Sequence, residues 1–343
     1  MRDFLKNLNQ TFIVAELSAN HNGKLSVAKE TIKAAKRAGA NAIKLQTYTA
    51  DTLTLNSSNT DFTIKGDSIW SGQNLYTLYQ NAYTPWEWHE ELFNLAKEEG
   101  IICFSSPFDK TAVDFLESLD NPIYKIASFE ITDIPLIEYV ASKGKPIIIS
   151  SGISTIEDIE LAIKACNKMG NDQIAILKCT SSYPAPIEEA NLCMISDIKE
   201  RFGVVSGLSD HTLGITAPIV AVTQGAEIIE KHFILDRKIG GPDASFSMNE
   251  KEFLEMVEAI RQTEVSLGKV DYSLTPKQLE GRKFCRSLYI SEDVKEGDTV
   301  TNMNVKSVRP GHGLHPKFYS EILGKKFNQD CSKGDRMSFE LLK

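Results

Sequence analysis

No two of the six cysteines (103, 166, 179, 193, 285 and 331) form a CxxC pair, and most lie inside apolar runs. That spacing supplies neither a zinc-binding pattern nor a disulfide framework, so reduced core thiols in a cytoplasmic protein are expected. Apolar runs as long as the roughly 18 residues a membrane span requires are missing, so no membrane partner is expected. The opening stretch, MRDFLKNLNQTFIVAEL, lacks the basic, apolar, small-residue order of a secretory signal. Positive charge is short as well. Lys and Arg number 38 against 46 Asp and Glu, a net charge of −8. No global field then favours nucleic acid, and an anionic substrate must be held by a few converging cations. Nor does a glycine-rich GxGxxG loop follow the first apolar run, which argues against an open, doubly wound dinucleotide fold.

What is present is alternation. Eight β-branched runs occur in order: TFIVAEL, AIKLQTY, IICFSS, PIYKIAS, PIIISSG, IAILKCT, GVVSGLSD and EIIEKHFIL. Amphipathic stretches separate them, among them SVAKETIKAAKRAG, PWEWHEELFNLAKEEG and TIEDIELAIKACNKMG, and NEKEFLEMVEAIRQTEVSLG follows the last. Several end in glycine (Gly39, Gly100, Gly170, Gly268), the usual residue just past a helix C-terminus. Eight β/α units within about 260 residues predict a (β/α)8 TIM barrel over residues 1–268, with the open doubly wound sheet as the alternative. The connection over residues 49–84 exceeds an ordinary βα loop and is expected to lean over the catalytic face or to be a plain surface excursion. Residues 269–282 read as a polar linker and 283–343 as a small β-rich module with DVKEGD and KGDR turns.

Strand parity locates the chemistry. Side chains alternate between the barrel interior and the helix layer, and catalytic groups gather at the C-terminal strand ends. In AIKLQTY, Ile43 and Leu45 suit the helix layer, which turns Lys44 and Gln46 inward. In EIIEKHFIL, Glu230 and His232 share the inward parity, and Glu16 shares that of Phe12 and Val14. PIYKIASFE poses a conflict: Lys125 and Ser128 cannot both face inward on a regular strand, so a bend is required there. A buried lysine is unfavourable unless it meets an anion.

Only six histidines occur. His89 lies on a charged helix, His21 in the polar loop SANHNG, and His312 and His315 in turns of the small module. His211 and His232 differ in ending consecutive strands, which are neighbours in a closed barrel. Either alone would ordinarily be a core histidine satisfied by a backbone carbonyl. Together, with Asp210 and Glu230 beside them, they suggest a divalent metal, Mn2+ or Mg2+. Lys44, Lys125, Gln46, Ser106, Ser128, Ser151 and Ser181 would form an anion cradle at the same barrel mouth.

The ordered stretches AELSANHNG, AIKLQTY, FSSPFD, YKIASFE, CTSSYPAP, GLSDHTLG, EKHF and SVRPGHGLHPKFY resemble the sialic acid synthase family over nearly the whole chain. The resemblance implies a catalytic barrel followed by an antifreeze-like (SAF) domain at 283–343. It further implies condensation of phosphoenolpyruvate with an amino-sugar aldehyde, a transferase reaction that yields a nine-carbon 2-keto acid and phosphate. By motif match, Lys44, Gln46, Ser106, Lys125, Ser128, Ser151 and Ser181 would hold phosphoenolpyruvate, and Ser209 belongs to the same substrate set. Glu130, Tyr183 and Asp243 would face the sugar, and His211 and His232 would bind the metal. Glu16 or Glu230 would handle the proton of the added water.

Ser181 stands where the neuraminate-type members are expected to carry asparagine. Arg309 and Phe284 of the SAF domain would reach the sugar of a partner subunit, which implies a domain-swapped homodimer. AELSANH, TYTADTLTLN and RPGHGLHPKFY look most like the branch whose sugar is 2,4-diacetamido-2,4,6-trideoxy-L-altrose. Neuraminate and legionaminate synthesis are the alternatives within the family. A Schiff-base aldolase using Lys125 or Lys178, and a non-catalytic sugar-binding protein, are the alternatives outside it.

Overall fold

A computed structural model describes residues 4–66 and 69–343. Eight parallel strands pair in chain order and the eighth returns to the first, closing the barrel. They are β1 (Phe12–Glu16), β2 (Ala42–Thr47), β3 (Ile102–Pro107), β4 (Tyr124–Ile126), β5 (Ile147–Ser150), β6 (Ile174–Cys179), β7 (Val205–Asp210) and β8 (Ile228–His232). The register sets Glu16 opposite both Lys44 and His232, so the inward residues of β8, β1 and β2 meet at one height.

Two apolar layers enclose the strands. Phe12, Val14, Ala42, Phe104, Ile148 and Leu177 fill the lower barrel interior. The opposite parity, including Ile43, Leu45, Ile229 and Phe233, packs with the helices. β5 illustrates the division: Ile147 and Ile149 enter a helix-facing cluster while Ile148 points into the barrel. Each such isoleucine contributes roughly 1.5–3 kcal/mol by leaving water. Leu5, on a short turn before β1, joins the interior cluster, and Phe4 stands edge-on to Phe12 with ring centroids 5.0 Å apart.

The helices begin and end where local chemistry dictates. In chain order, α1 is Leu25–Arg37, α2 Ala50–Leu53, α3 Leu75–Ala82 and α4 His89–Glu99. Next come α5 (Lys110–Ser118), α6 (Ile134–Ala141), α7 (Ile156–Lys168), α8 (Met194–Phe202), α9 (Thr216–Thr223) and α10 (Glu250–Leu267). Thr155 and Asn249 start α7 and α10 with capping boxes completed by Asp158 and Glu252, which satisfy otherwise orphaned backbone N–H groups. Gly100 closes α4 in the left-handed region at φ 67°, a conformation unfavourable for any residue with a Cβ. Among the described residues, no helix is long and apolar enough to cross a membrane.

The β4 conflict resolves as a bend. The strand stops at Ile126, and Ser128–Glu130 forms a single 3-10 turn that brings Ser128 and Glu130 round to the interior.

A second compact unit spans Lys269–Lys343. Its two antiparallel strands, β9 (Ser287–Ile290) and β10 (Val305–Val308), carry a small core of Leu288, Ile290, Val300, Val305, Ile322 and Phe327. The stretch read as a polar linker is not wholly irregular. It holds α11 (Pro276–Gly281), started by Thr275 and Gln278 with proline at the first helical position, where its missing N–H has no consequence.

Candidate active site

A cavity of about 530 Å³ is lined by the C-terminal ends of the barrel strands and the loops that follow them. Its floor is ionic. Lys44 Nζ lies 2.5 Å from Glu16 Oε2 and 3.5 Å from Glu230 Oε1, while Lys125 Nζ lies 2.8 Å from that same Glu230 oxygen. Ser209 Oγ donates to Glu230 Oε1 as well, at 3.1 Å. All four charged side chains are buried.

Burial alone would raise the Glu230 carboxyl, but Lys125 and Lys44 outweigh it and hold it well below the usual carboxylate range. Burial raises Glu16, against the pull of Lys44 and with the Glu230 charge adding to the rise. Burial also opposes the charged form of Lys44, yet Glu16 and Glu230 leave it raised. Lys125 is lowered by burial, with the Lys44 charge adding to the effect. Two ammonium groups thus face one fully ionised carboxylate and one carboxyl that readily takes a proton. This floor is locally cationic within a chain of net charge −8. Glu16 Oε1 and Glu230 Oε2 are buried without a hydrogen-bond partner among the described residues, an arrangement that calls for a ligand.

At the same height stand His211 and His232, with ring centroids 5.3 Å apart and planes inclined at 54°. His211 Nδ1 donates to the Thr180 carbonyl at 3.1 Å, so Nε2 is the ring nitrogen left for a ligand; burial opposes the charged ring, but Cys179, the Thr180 carbonyl and Asp210 leave it raised above its ordinary value. Burial and the neighbouring cations lower His232 well below its ordinary value of 6.5, so it is a neutral imidazole. Its buried Nδ1 has no hydrogen-bond partner among the described residues and lies 3.7 Å from Asp243 Oδ2. Among the described residues, no three His, Cys, Asp or Glu side chains converge on one point. What these residues offer a divalent ion is therefore two imidazoles, with its other positions left to water or substrate.

A hydroxyl cradle flanks the floor. Ser128 Oγ and Ser181 Oγ are 2.7 Å apart, across Gly152. A Cβ on Gly152 would fall 2.0 Å from Ser181 Oγ, so only glycine leaves this space open.

A family model described as the NeuB family matches residues 31–272, and one described as the SAF domain matches residues 286–335. The chain belongs to the NeuB family. Its relatives include a pseudaminic acid synthase of Campylobacter jejuni, 51% identical over 96% of this chain and 95% of that one. Another pseudaminic acid synthase, from Helicobacter pylori, is 52% identical over 92% of each chain. Among solved structures, the spore coat polysaccharide biosynthesis protein SpsE of Bacillus subtilis is similar at a TM-score of 0.66 and 33% identity, covering 97% of this chain and 95% of that one.

Against the NeuB-family expectation, the structure brings most of the named residues together. Glu16, Lys44, Gln46, Lys125, Ser128 and Glu130 line the cavity, as do Ser181, Tyr183, Ser209, His211, Glu230, His232 and Asp243. Ser106 is buried beside them, with its Oγ accepting from Lys44 Nζ at 3.5 Å. Ser151 departs from expectation. β5 ends at Ser150, whose inward parity puts that hydroxyl in the cavity wall, whereas Ser151 Oγ donates to the Leu177 carbonyl at 3.0 Å.

Asp210 departs too. It forms a buried ion pair with Lys231 on the outward parity and accepts from the Thr212 backbone N–H at 2.9 Å. Lys231 Nζ also donates to the Thr212 carbonyl at 2.6 Å, so the pair fixes the turn that carries His211. Lys178 points away from the cavity and donates to the Cys179 carbonyl at 2.7 Å. His89 is a buried packing residue, and His315 caps a turn by accepting from the Lys317 N–H. Phe284 and Arg309 belong to the second unit, where both are exposed.

Sequence reasoning passed over Ser18, Tyr48, Ser150 and Cys179, all of which line the cavity. Inward parity marks Ser150 and Cys179, as Cys179 shares the parity of Ala175 and Leu177. The loop residues Ser18 and Tyr48 carry no such signal.

Proposed function

We propose that this chain condenses phosphoenolpyruvate with 2,4-diacetamido-2,4,6-trideoxy-L-altrose and water, giving pseudaminic acid and phosphate. The 51% identity to a pseudaminic acid synthase over 96% of the chain supports the choice of sugar. The observation that carries the chemistry is the pair of buried lysines sharing Glu230 beside two imidazoles. Lys44 and Lys125 bind the anionic groups of phosphoenolpyruvate by charge-assisted hydrogen bonds, helped by Gln46, Ser106 and the Ser128–Ser181 cradle. Glu130, Tyr183 and Asp243 orient the open-chain sugar. A Mn2+ or Mg2+ ion held by His211 and His232 supplies Lewis-acid polarisation of the aldehyde when bound.

A carbon–carbon bond forms between C3 of phosphoenolpyruvate and the aldehyde carbon, and the aldehyde oxygen ends as a hydroxyl. Positive charge develops at C2, where ionised Glu230 stabilises it. Water adds at C2 and gives a proton to Glu16, the carboxyl that burial makes the better base. The C2–O bond to phosphorus then breaks, phosphate leaves with that oxygen, and the remaining C2 hydroxyl loses its proton to become the ketone. Arg309 and Phe284 are assigned to the sugar site of a partner subunit in a domain-swapped homodimer, and the reaction to the cytoplasm.

Phosphate release is the test, measured with the altrose derivative, N-acetylmannosamine and the legionaminate-type sugar, before and after chelation. Strong preference for the altrose derivative and loss of activity on chelation are expected. Turnover that survives exhaustive chelation, with borohydride trapping of substrate on Lys125, would replace this reading with a Schiff-base aldolase. Sugar binding without phosphate release would leave a binding protein.

A further inference from the structure

We infer that the segment inserted after β2, residues 49–84, is the specificity wall of the cavity: it selects sugars that end in a methyl group rather than a hydroxymethyl group. This rests on the synthase reading above and adds to it the residues that discriminate at the sugar's far end.

The cavity has two chemically different sides. Its charged groups come from the barrel strands and the loops and turns that follow β4 and β8, such as Lys44, Lys125, Glu130, Glu230 and Asp243. Among the described residues, the insert contributes only apolar or aromatic side chains, chiefly Leu53, Ile64, Trp70, Leu75 and Leu78. This segment is not apolar by composition, since DTLTLNSSNTDF within it is mostly polar. The fold turns Leu53, Ile64, Trp70, Leu75 and Leu78 toward the cavity and leaves Leu55 and Ile69 exposed along with Asp51, Asn56, Ser58 and Asp61. Leu53, Ile64, Leu75 and Leu78 are half-buried because part of each side chain faces the open cavity.

Aromatic contacts tie this wall to the reacting end. Trp70 packs on Tyr183 at 5.3 Å between centroids, and Tyr183 packs on His211 at 4.5 Å. Tyr79 stands 5.9 Å from Tyr48, which joins the wall to the end of β2. A sugar whose aldehyde carbon lies beside the histidines and the lysine floor must extend its far carbons away from them. A methyl group gains from burial against leucine, whereas a hydroxyl there gives up water without a partner. An apolar pocket discriminates against one added hydroxyl by about 10²-fold.

The test uses purified full-length protein and phosphate release, with the 6-deoxy diacetamido sugar and its 6-hydroxy counterpart as substrates. The wild type is expected to favour the deoxy sugar by about 10²-fold in kcat/KM. Leu53→Asn and Leu78→Asn are each expected to reduce that ratio by roughly 10-fold, mostly through loss on the deoxy sugar, with the KM for phosphoenolpyruvate unchanged. Leu55→Asn serves as the control, because Leu55 belongs to the same segment, is 66% exposed and does not line the cavity. A wild-type ratio near one overturns the inference, whatever the variants do. So does an unchanged ratio in both variants while they turn over. Phosphate release with no sugar would instead overturn the synthase reading on which this one rests.

Discussion

Acidification from pH 7 to pH 4 should destabilise the barrel through two buried histidines remote from the ionic floor, and His89 shows how. Its Nδ1 donates to the Pro85 carbonyl at 3.2 Å, and its Nε2 accepts from Thr47 Oγ1 at 2.9 Å. The Thr47 hydroxyl is also 2.6 Å from Ser105 Oγ, and the Phe115 ring covers the imidazole edge-on at 5.5 Å. Burial lowers His89 from 6.5 to about 4, against smaller opposing contributions from the Pro85 and Trp86 backbone and Glu87.

The folded state therefore binds the proton less readily than the unfolded chain, and stability is lost as pH falls from 6.5 toward 4. Linkage gives a loss relative to pH 7 of about 2 kcal/mol at pH 5 and about 3 kcal/mol at pH 4, with no further loss well below that. His21 adds a second contribution of the same sign. Burial, reinforced by the charge of His89, lowers it to about 4, and its Nδ1 already accepts from the Gly23 N–H. The assay is urea unfolding followed by circular dichroism at several pH values, comparing wild type with His89→Gln. The wild type should lose about 3 kcal/mol more than the variant between pH 7 and pH 4. Parallel stability curves for the two proteins would refute the argument.

Three further outcomes are expected. Gly207→Ala should lower the urea midpoint by the equivalent of about 3 kcal/mol or more, because its Cβ would meet the Ile228 carbonyl oxygen at 2.3 Å and Leu177 Cδ2 at 2.7 Å. An unchanged midpoint would show that β7 can move away from β8. Glu230→Gln should cut kcat by roughly 10²-fold or more while the KM for phosphoenolpyruvate stays level or falls, since the floor becomes more cationic. A wild-type kcat would remove Glu230 from the chemistry. Deleting residues 283–343 should abolish phosphate release even where circular dichroism shows an intact barrel, and a fully active isolated barrel would contradict the role given to Arg309.

Much of the site was legible because a strand has a period of two. Once Ile43 and Leu45 are assigned to the helix layer, Lys44 and Gln46 must face the interior, and the same rule turns Glu230 and His232 inward. The rule fails where the strand ends. β5 stops at Ser150, so the hydroxyl facing the cavity is that of Ser150 and not Ser151. Asp210 sits one residue before His211, yet its parity delivers it to Lys231 on the neighbouring strand. Spacing alone cannot distinguish a carboxylate beside a metal from one that braces the turn behind it.

The order of residues alone carried the eight β/α units and the inward parity of Glu16, Lys44, Glu230 and His232 on β1, β2 and β8. These follow from local periodicity, and a closed parallel sheet gives that periodicity one consistent inside. The tertiary structure was needed to show which carboxylate each lysine neutralises, which hydroxyls reach the cavity and which leucines of the insert line it. Ion pairing is set by distances across strands far apart in the chain, and an irregular loop has no repeat from which its buried face can be read.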